Sequence, residues 1–286
     1  MARRLTMPDG RALEVHELGD PNGFPIVMHH GTPGSGRVYD RLAMPGVRLI
    51  GYDRAGYGGS DRNRGRTIAS IAADMLALGD ALGLERFATW GISGGGPHAL
   101  ACAALCGGRL TAAASLAGIA PFGAEGLDWL AGMGEDNVEE FGLVLQGEET
   151  LAPSLAEQRE GMLAATPEEL FAAVETLLGA ADRAALTGAL AEFIHSNTSH
   201  GLERGVDGWI DDDLAFAADW GFDLAGITTP VLVVQGGDDR FVPKSHGEWL
   251  AAHVPGCEAW IDDENGHLTL LENRVAEVHE WLLSHN

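Results

Sequence analysis

Lysine is almost absent from this chain. Lys244 is the only one, arginine supplies the other basic residues, and together they number 18 against 42 acidic residues. The formal charge of −24 excludes nucleic acid as a partner, because phosphate-backbone affinity depends on Lys and Arg displacing condensed counterions. Cysteine is scarce too. Cys102, Cys106 and Cys257 are odd in number and lack zinc-ribbon spacing, so no disulfide framework is indicated and a reducing cytoplasm is the expected setting. Long apolar runs are missing. Basic Met1-Ala-Arg-Arg4 leads into Leu-Thr-Met-Pro-Asp-Gly rather than an apolar h-region, so neither export nor a membrane anchor is expected. What is present, 45% hydrophobic and 21% charged residues in 286, suits a folded catalytic domain with an insertion.

The pattern along the chain is that of an α/β protein. Arg11 to Leu18 alternates like a half-buried strand and ends in the turn Gly19-Asp20-Pro21-Asn22-Gly23, which predicts an opening antiparallel hairpin. Short apolar runs follow at Pro25–Met28, Val47–Ile50, Phe87–Trp90, Leu110–Ile119 and Pro230–Val234, spaced by helical segments such as Thr67–Leu82. Such alternation predicts a doubly wound, mostly parallel sheet. Residues 121–221 change texture to Ala-, Leu- and Glu-rich helix, including a capping box at Thr166-Pro-Glu-Glu169. The expected division is therefore a core of residues 1–120 and 222–286 with a helical lid inserted at 121–221. A last helix, Asn273 to Leu283, is expected to cover one sheet edge.

The strongest chemical signal is Gly91-Ile92-Ser93-Gly94-Gly95, directly after an apolar strand and before a helical stretch. Glycines flank the serine because it sits on a sharp strand-to-helix turn where a neighbouring Cβ would meet the crossing backbone. A serine hydroxyl needs a base to remove its proton and a carboxylate to orient that base. In this type of fold they follow in the order serine, acid, histidine. Asp239, in Gln-Gly-Gly-Asp-Asp-Arg-Phe-Val-Pro243 after a strand, and His267, in Asn265-Gly-His267-Leu, supply them in that order.

Four motifs give the chain its resemblance to the α/β-hydrolase-fold serine hydrolases, the carboxylesterase and proline iminopeptidase-like superfamily. They are His30-Gly31-Thr32-Pro33-Gly34, Asp53-Arg-Ala-Gly56-Tyr-Gly58-Gly-Ser60, the serine turn, and Gly236-x-x-Asp239-x-x-x-Pro243 with Gly266-His267. The resemblance implies that the acid is Asp239 rather than Asp238, and Asp262 and Asp263 read as the exposed end of a strand. It also implies an oxyanion hole built from the N–H groups of Thr32 and Gly94, in which the Thr32 side chain is dispensable. Asp53 to Ser60 is expected to be a structural turn.

Other residues take plainer readings. His98, Cys102 and Cys106 recur at helical spacing but are expected to pack behind the serine turn, His29 is expected to pack on the opposite strand face from His30, and no metal or cofactor is expected. Trp129, Met133, Phe141, Met162, Phe193 and Trp209 divide between lid core and pocket wall.

The expected function is hydrolysis of a small to medium acyl ester through an acyl-enzyme, with a small-molecule acyl substrate as partner. Serine at the turn argues against epoxide hydrolases and haloalkane dehalogenases, whose resemblance requires aspartate there. The alternatives are an iminopeptidase-type aminopeptidase, in which Glu135, Asp136, Glu139 and Glu140 bind a substrate amine, a C–C bond hydrolase, a lactonase, a thioesterase, or a non-catalytic receptor. Thr32 departs from the His-Gly-Gly-Pro-Gly usual among the iminopeptidases.

Overall fold

In the computed structural model, which describes residues 2–286, eight strands form one sheet in the order β1-β2-β4-β3-β5-β6-β7-β8. Their ranges are β1 Ala2–Thr6, β2 Ala12–Gly19, β3 Phe24–His29, β4 Val47–Tyr52, β5 Phe87–Ile92, β6 Leu110–Leu116, β7 Val231–Gly236 and β8 Glu258–Asp262. From β4 to β8 every neighbour is parallel, and β2 runs antiparallel to both β1 and β4. The opening hairpin therefore exists, but its partner is β1. The turn at Gly19–Gly23 leads instead to β3, from which β4 separates β2.

The central strands are buried, β6 and β7 throughout and β5 up to Gly91, because helices cover both faces. Alternate residues serve the two sides: in β4, Val47 and Leu49 join one apolar cluster while Ile50 and Tyr52 join the other. Helices α1 (Ile71–Leu82) and α2 (Gly95–Leu105) lie on one face. Thr67 closes a capping box ahead of α1, and Gly83 ends it in the left-handed conformation.

Between β6 and β7 the chain passes through α3 (Glu135–Val144), α4 (Glu148–Ala164), α5 (Pro167–Ala173), α6 (Ala180–Ala185), α7 (Gly188–Gly201) and α8 (Asp207–Ala217). The capping box at Thr166 and Glu169 opens α5, with proline at its first position. After α9 (Lys244–His253) and β8 come α10 (Thr269–Asn273) and α11 (Val275–Leu283). Val275, Val278 and Leu282 of α11 pack with Trp90, Ala112 and Ala114 of β5 and β6. This helix thus covers the middle of a sheet face rather than an edge, because its apolar stripe meets the small alanines of β6. Among the described residues no helix is long and apolar enough to cross a membrane.

Candidate active site

From β3 the chain steps to one side to form β4 and to the other to form β5, so the crevice at the carboxyl ends of β3 and β5 is the topological switch point. In open α/β sheets ligands bind in such a crevice. The loop from His30 to Gly34 leaves β3 there, and Ser93 leaves β5.

Ser93 is held at φ +55°, a left-handed conformation that only a tightly constrained turn imposes on serine. The constraint is visible in its neighbours: a Cβ on Gly91 would strike the carbonyl of Gly95, and one on Gly95 would strike the carbonyl of His29. The turn thus presses the start of α2 against the ends of β3 and β5. Gly94 faces Thr32 so closely that a Cβ there would overlap the threonine side chain. Among the described residues neither Thr32 N–H nor Gly94 N–H has an internal acceptor, so the two donors stay free beside Ser93.

His267 reaches the same cavity from the loop before α10. Its Nδ1 lies 2.8 Å from Asp239 Oδ2, and since a carboxylate only accepts, the proton sits on Nδ1 and leaves Nε2 as a base. Asp239 is fixed by Val242 N–H at 2.8 Å and Gln235 Nε2 at 3.1 Å. Burial pushes the Asp239 carboxyl upward, against the pull of His267. Burial also depresses the imidazole, but the charge and hydrogen bond of Asp239 outweigh it, and His267 is raised above its ordinary value. The imidazole stacks on Phe241 with ring centroids 4.6 Å apart.

The neighbouring acids have other work. Asp238 accepts a hydrogen bond from Ala181 N–H at the start of α6, Asp262 binds Asn265 and Arg274, and exposed Asp263 pairs with Lys244. His98 and Cys102 are buried behind the serine turn, with His98 Nδ1 2.8 Å from Gly94 O. His29 packs against Tyr52, its Nδ1 2.6 Å from the phenol oxygen.

Two determinants are absent from the sequence reading. Asp182 of α6, fully buried, accepts the N–H groups of His267, Leu268 and Thr269 at 2.8, 2.9 and 3.0 Å, and so clamps the histidine loop. Asp212 of α8 does the same for the His30–Gly34 loop through Arg54, a residue of the turn set aside as merely structural. Arg54 donates to the carbonyl of His30 at 2.7 Å and to Asp212 Oδ1 at 3.0 Å. Thr32 Oγ1 donates to Asp212 Oδ2 at 2.6 Å, so its side chain anchors the loop rather than standing idle.

Ser93 separates two cavities. One of about 190 Å³ also contains His267 and is walled by apolar side chains, among them Met162, Leu170, Phe171, Phe193 and Leu271. A smaller one of about 50 Å³ lies beside Gly94 and carries Met133, Phe141, Glu140 and Asp213. Trp129 and Trp209 are buried in the core. Burial raises Glu140 to about 7, with Asp136 adding to it, and burial with Glu140 as neighbour raises Asp213 well above the carboxylate range. Of the four acids of α3 expected to bind an amine, Glu140 lines this cavity, whereas Glu135, Asp136 and Glu139 are exposed.

A profile of the α/β hydrolase fold matches residues 25–274. A non-heme chloroperoxidase of Streptomyces lividans is 28% identical over 246 residues, covering 84% of this chain and 83% of that protein. A 2-hydroxy-6-oxononadienedioate/2-hydroxy-6-oxononatrienedioate hydrolase of Burkholderia vietnamiensis is 26% identical over 284 residues, 91% of this chain and 86% of that one. An α/β hydrolase fold protein from Nakamurella multipartita superposes with a TM-score of 0.73 at 27% identity, covering 99% and 98% of the two chains. With that profile matched over most of its length, the chain belongs to the α/β hydrolase fold family.

Proposed function

We propose that this protein is a cytoplasmic serine hydrolase cleaving small to medium acyl esters, with Ser93 as nucleophile, His267 as base, Asp239 as the acid that orients it, and residues 121–221 as a lid. One observation carries the reading: a strained serine, a histidine paired to a buried carboxylate and Thr32 line one apolar cavity, with Gly94 beside Ser93 on the adjoining one. His267 Nε2 takes the Ser93 proton as Oγ attacks the acyl carbonyl. The N–H groups of Thr32 and Gly94 receive the oxyanion, and removal of one such donor costs about 2.7–4 kcal/mol in the barrier. His267 then protonates the leaving alcohol, and water releases the acyl group by the reverse steps.

The cavity wall favours a neutral acyl group. Arg37 is its one permanently cationic side chain among the described residues, and it is exposed, which suits a doubly charged dienedioate poorly. A second reading has its own support. Glu140 and Asp213, beside Gly94, would pair with a substrate ammonium, as an aminopeptidase requires.

The test is intact mass after a fluorophosphonate, for wild type and Ser93→Ala, with 4-nitrophenyl acetate and alanine or proline 4-nitroanilides assayed in parallel. A single adduct absent from the variant, with ester turnover, is expected. Preferential anilide cleavage selects the aminopeptidase, and an unlabelled, inactive wild type defeats both readings.

A further inference from the structure

Apart from Ser93, four side chains of metal-ligating type converge from three parts of the chain. Glu14 and His16 stand two apart on β2 and share a face. Asp53 follows β4, and His200 ends α7. One donor atom from each lies within 4.8 Å of all the others. His16 Nε2 is 3.3 Å from Asp53 Oδ1 and 3.9 Å from Glu14 Oε2. His200 Nε2 is 3.3 Å from Glu14 Oε2 and 3.2 Å from Asp53 Oδ2. Zinc binds imidazole nitrogen and carboxylate oxygen at about 2.0–2.2 Å, so adjacent donors of a tetrahedral site lie about 3.3–3.6 Å apart. Two of the four separations fall at the short end of that range, one lies just below it and one above it, with Asp53 turning Oδ1 to His16 and Oδ2 to His200.

Ion pairing brings both imidazoles to Asp53, but without well-directed hydrogen bonds. Both Nε2 atoms are buried and neither has a hydrogen-bond partner, although each has a carboxylate oxygen within 3.3 Å. Asp53 is fully buried and His200 only 8% exposed. The remaining nitrogen of His200, Nδ1, faces Glu203 Oε2 at 3.3 Å, the outer carboxylate that commonly orients a metal-bound imidazole. Asp53 is fixed by N–H groups of Gly36 and Gly59. Space is kept by glycine: a Cβ on Gly58 would overlap Asp53 Oδ2, and one on Gly59 would press on Glu14 Oε2.

We propose that Glu14, His16, Asp53 and His200 form a divalent metal site, with zinc the ion that best suits two imidazoles and two carboxylates. The two carboxylates balance the charge of the ion. Its effect is mechanical. The ion fastens α7 to β2 and to the turn after β4, and α7 carries Asn197, which lines the larger cavity and bonds the backbone of Ser35 and Arg37.

The test uses the full chain stripped with a chelator and titrated with zinc chloride alone against a chromophoric chelator, for wild type, Glu14→Gln and His16→Gln. Both substitutions fall on partly exposed β2 positions away from Ser93. Wild type is expected to bind one more zinc per chain than either variant, with affinity at that site weakened at least about 100-fold by loss of a ligand. Zinc should raise the melting temperature of wild type alone, and ester turnover of the metal-free variants should match wild type. Cobalt in wild type should give the intense visible bands of a tetrahedral site, a readout that stands even if a variant fails to fold. Equal zinc binding in wild type and variants, or a cobalt spectrum without those bands, overturns the proposal.

Discussion

Replacing Asp212 by asparagine should damage both stability and turnover, and the structure sets the size of each effect. The Asp212 carboxylate is fully buried and accepts from Arg54 Nε, Thr32 Oγ1, Tyr57 OH and Arg66 Nη2 at 3.0, 2.6, 2.9 and 2.7 Å. Asparagine keeps the shape but removes the charge, leaving two buried guanidinium groups without a counter-ion. Breaking a buried pair in this way costs about 3–5 kcal/mol. Against a typical stability of about 5–15 kcal/mol, the variant should stay folded but lose a large share of its margin. Turnover should fall because Arg54 also holds the carbonyl of His30, just ahead of Thr32. If that loop drifts, one oxyanion donor is lost, worth about 10²–10³ in kcat.

Urea unfolding followed by tryptophan fluorescence, alongside kcat on 4-nitrophenyl acetate at a temperature where both proteins are folded, measures the two effects separately. Burial opposes ionisation of Asp212, but Arg54 and Arg66 overcome it and hold its pKa well below the ordinary carboxylate value. A depressed folded pKa stabilises fully above the unfolded value of about 3.9 and is lost only as pH falls toward the folded one. The gap between wild type and variant should therefore be constant through neutral pH and close in acid. A variant within about 1 kcal/mol of wild type, turning over at the same rate, would refute the idea that this carboxylate holds the loop, since exposed pairs are worth that little.

Two further outcomes follow from the same geometry. His267 acts as a base only when neutral, and Asp239 raises its pKa, so kcat/KM should rise with pH through a midpoint above about 6.5, measurable from initial rates on the ester. Asp239→Asn should lower kcat by about 10⁴, whereas Asp238→Asn should leave kcat near wild type and cost only a helix cap, about 0.5–2 kcal/mol; the reverse pattern in paired assays would move the acid to Asp238.

The serine turn was legible because strand, turn and helix are consecutive and the glycines that permit the close approach lie within two residues of Ser93. The pairing of Asp239 with His267, 2.8 Å apart, follows the chain order expected of them. The carboxylates that hold the site were not legible. Asp182 meets His267 across 85 positions and Asp212 meets Thr32 across 180, separations over which no local periodicity operates. Asp211-Asp212-Asp213 moreover resembles a solvated acidic run, yet all three are buried because arginines of the core close over two of them and the third faces Glu140. The convergence of Glu14 and His16 with Asp53 and His200 was hidden in the same way. For α11 the stripe is legible but its target is not, since periodicity says that a face is buried and not against which strand.

The placement of Asp182 and Asp212 bears on how such an enzyme can diversify. Both belong to the helices between β6 and β7, yet they grip the two loops that carry the reactive geometry. If that segment is the lid proposed above, it is also a splint for the two loops it covers. A chimera that exchanges it wholesale for a relative's helices would alter substrate preference and loosen the reaction centre in one stroke, unless acids at these two positions travel with it. Divergence by piecemeal substitution around two retained anchors is the route the architecture leaves open.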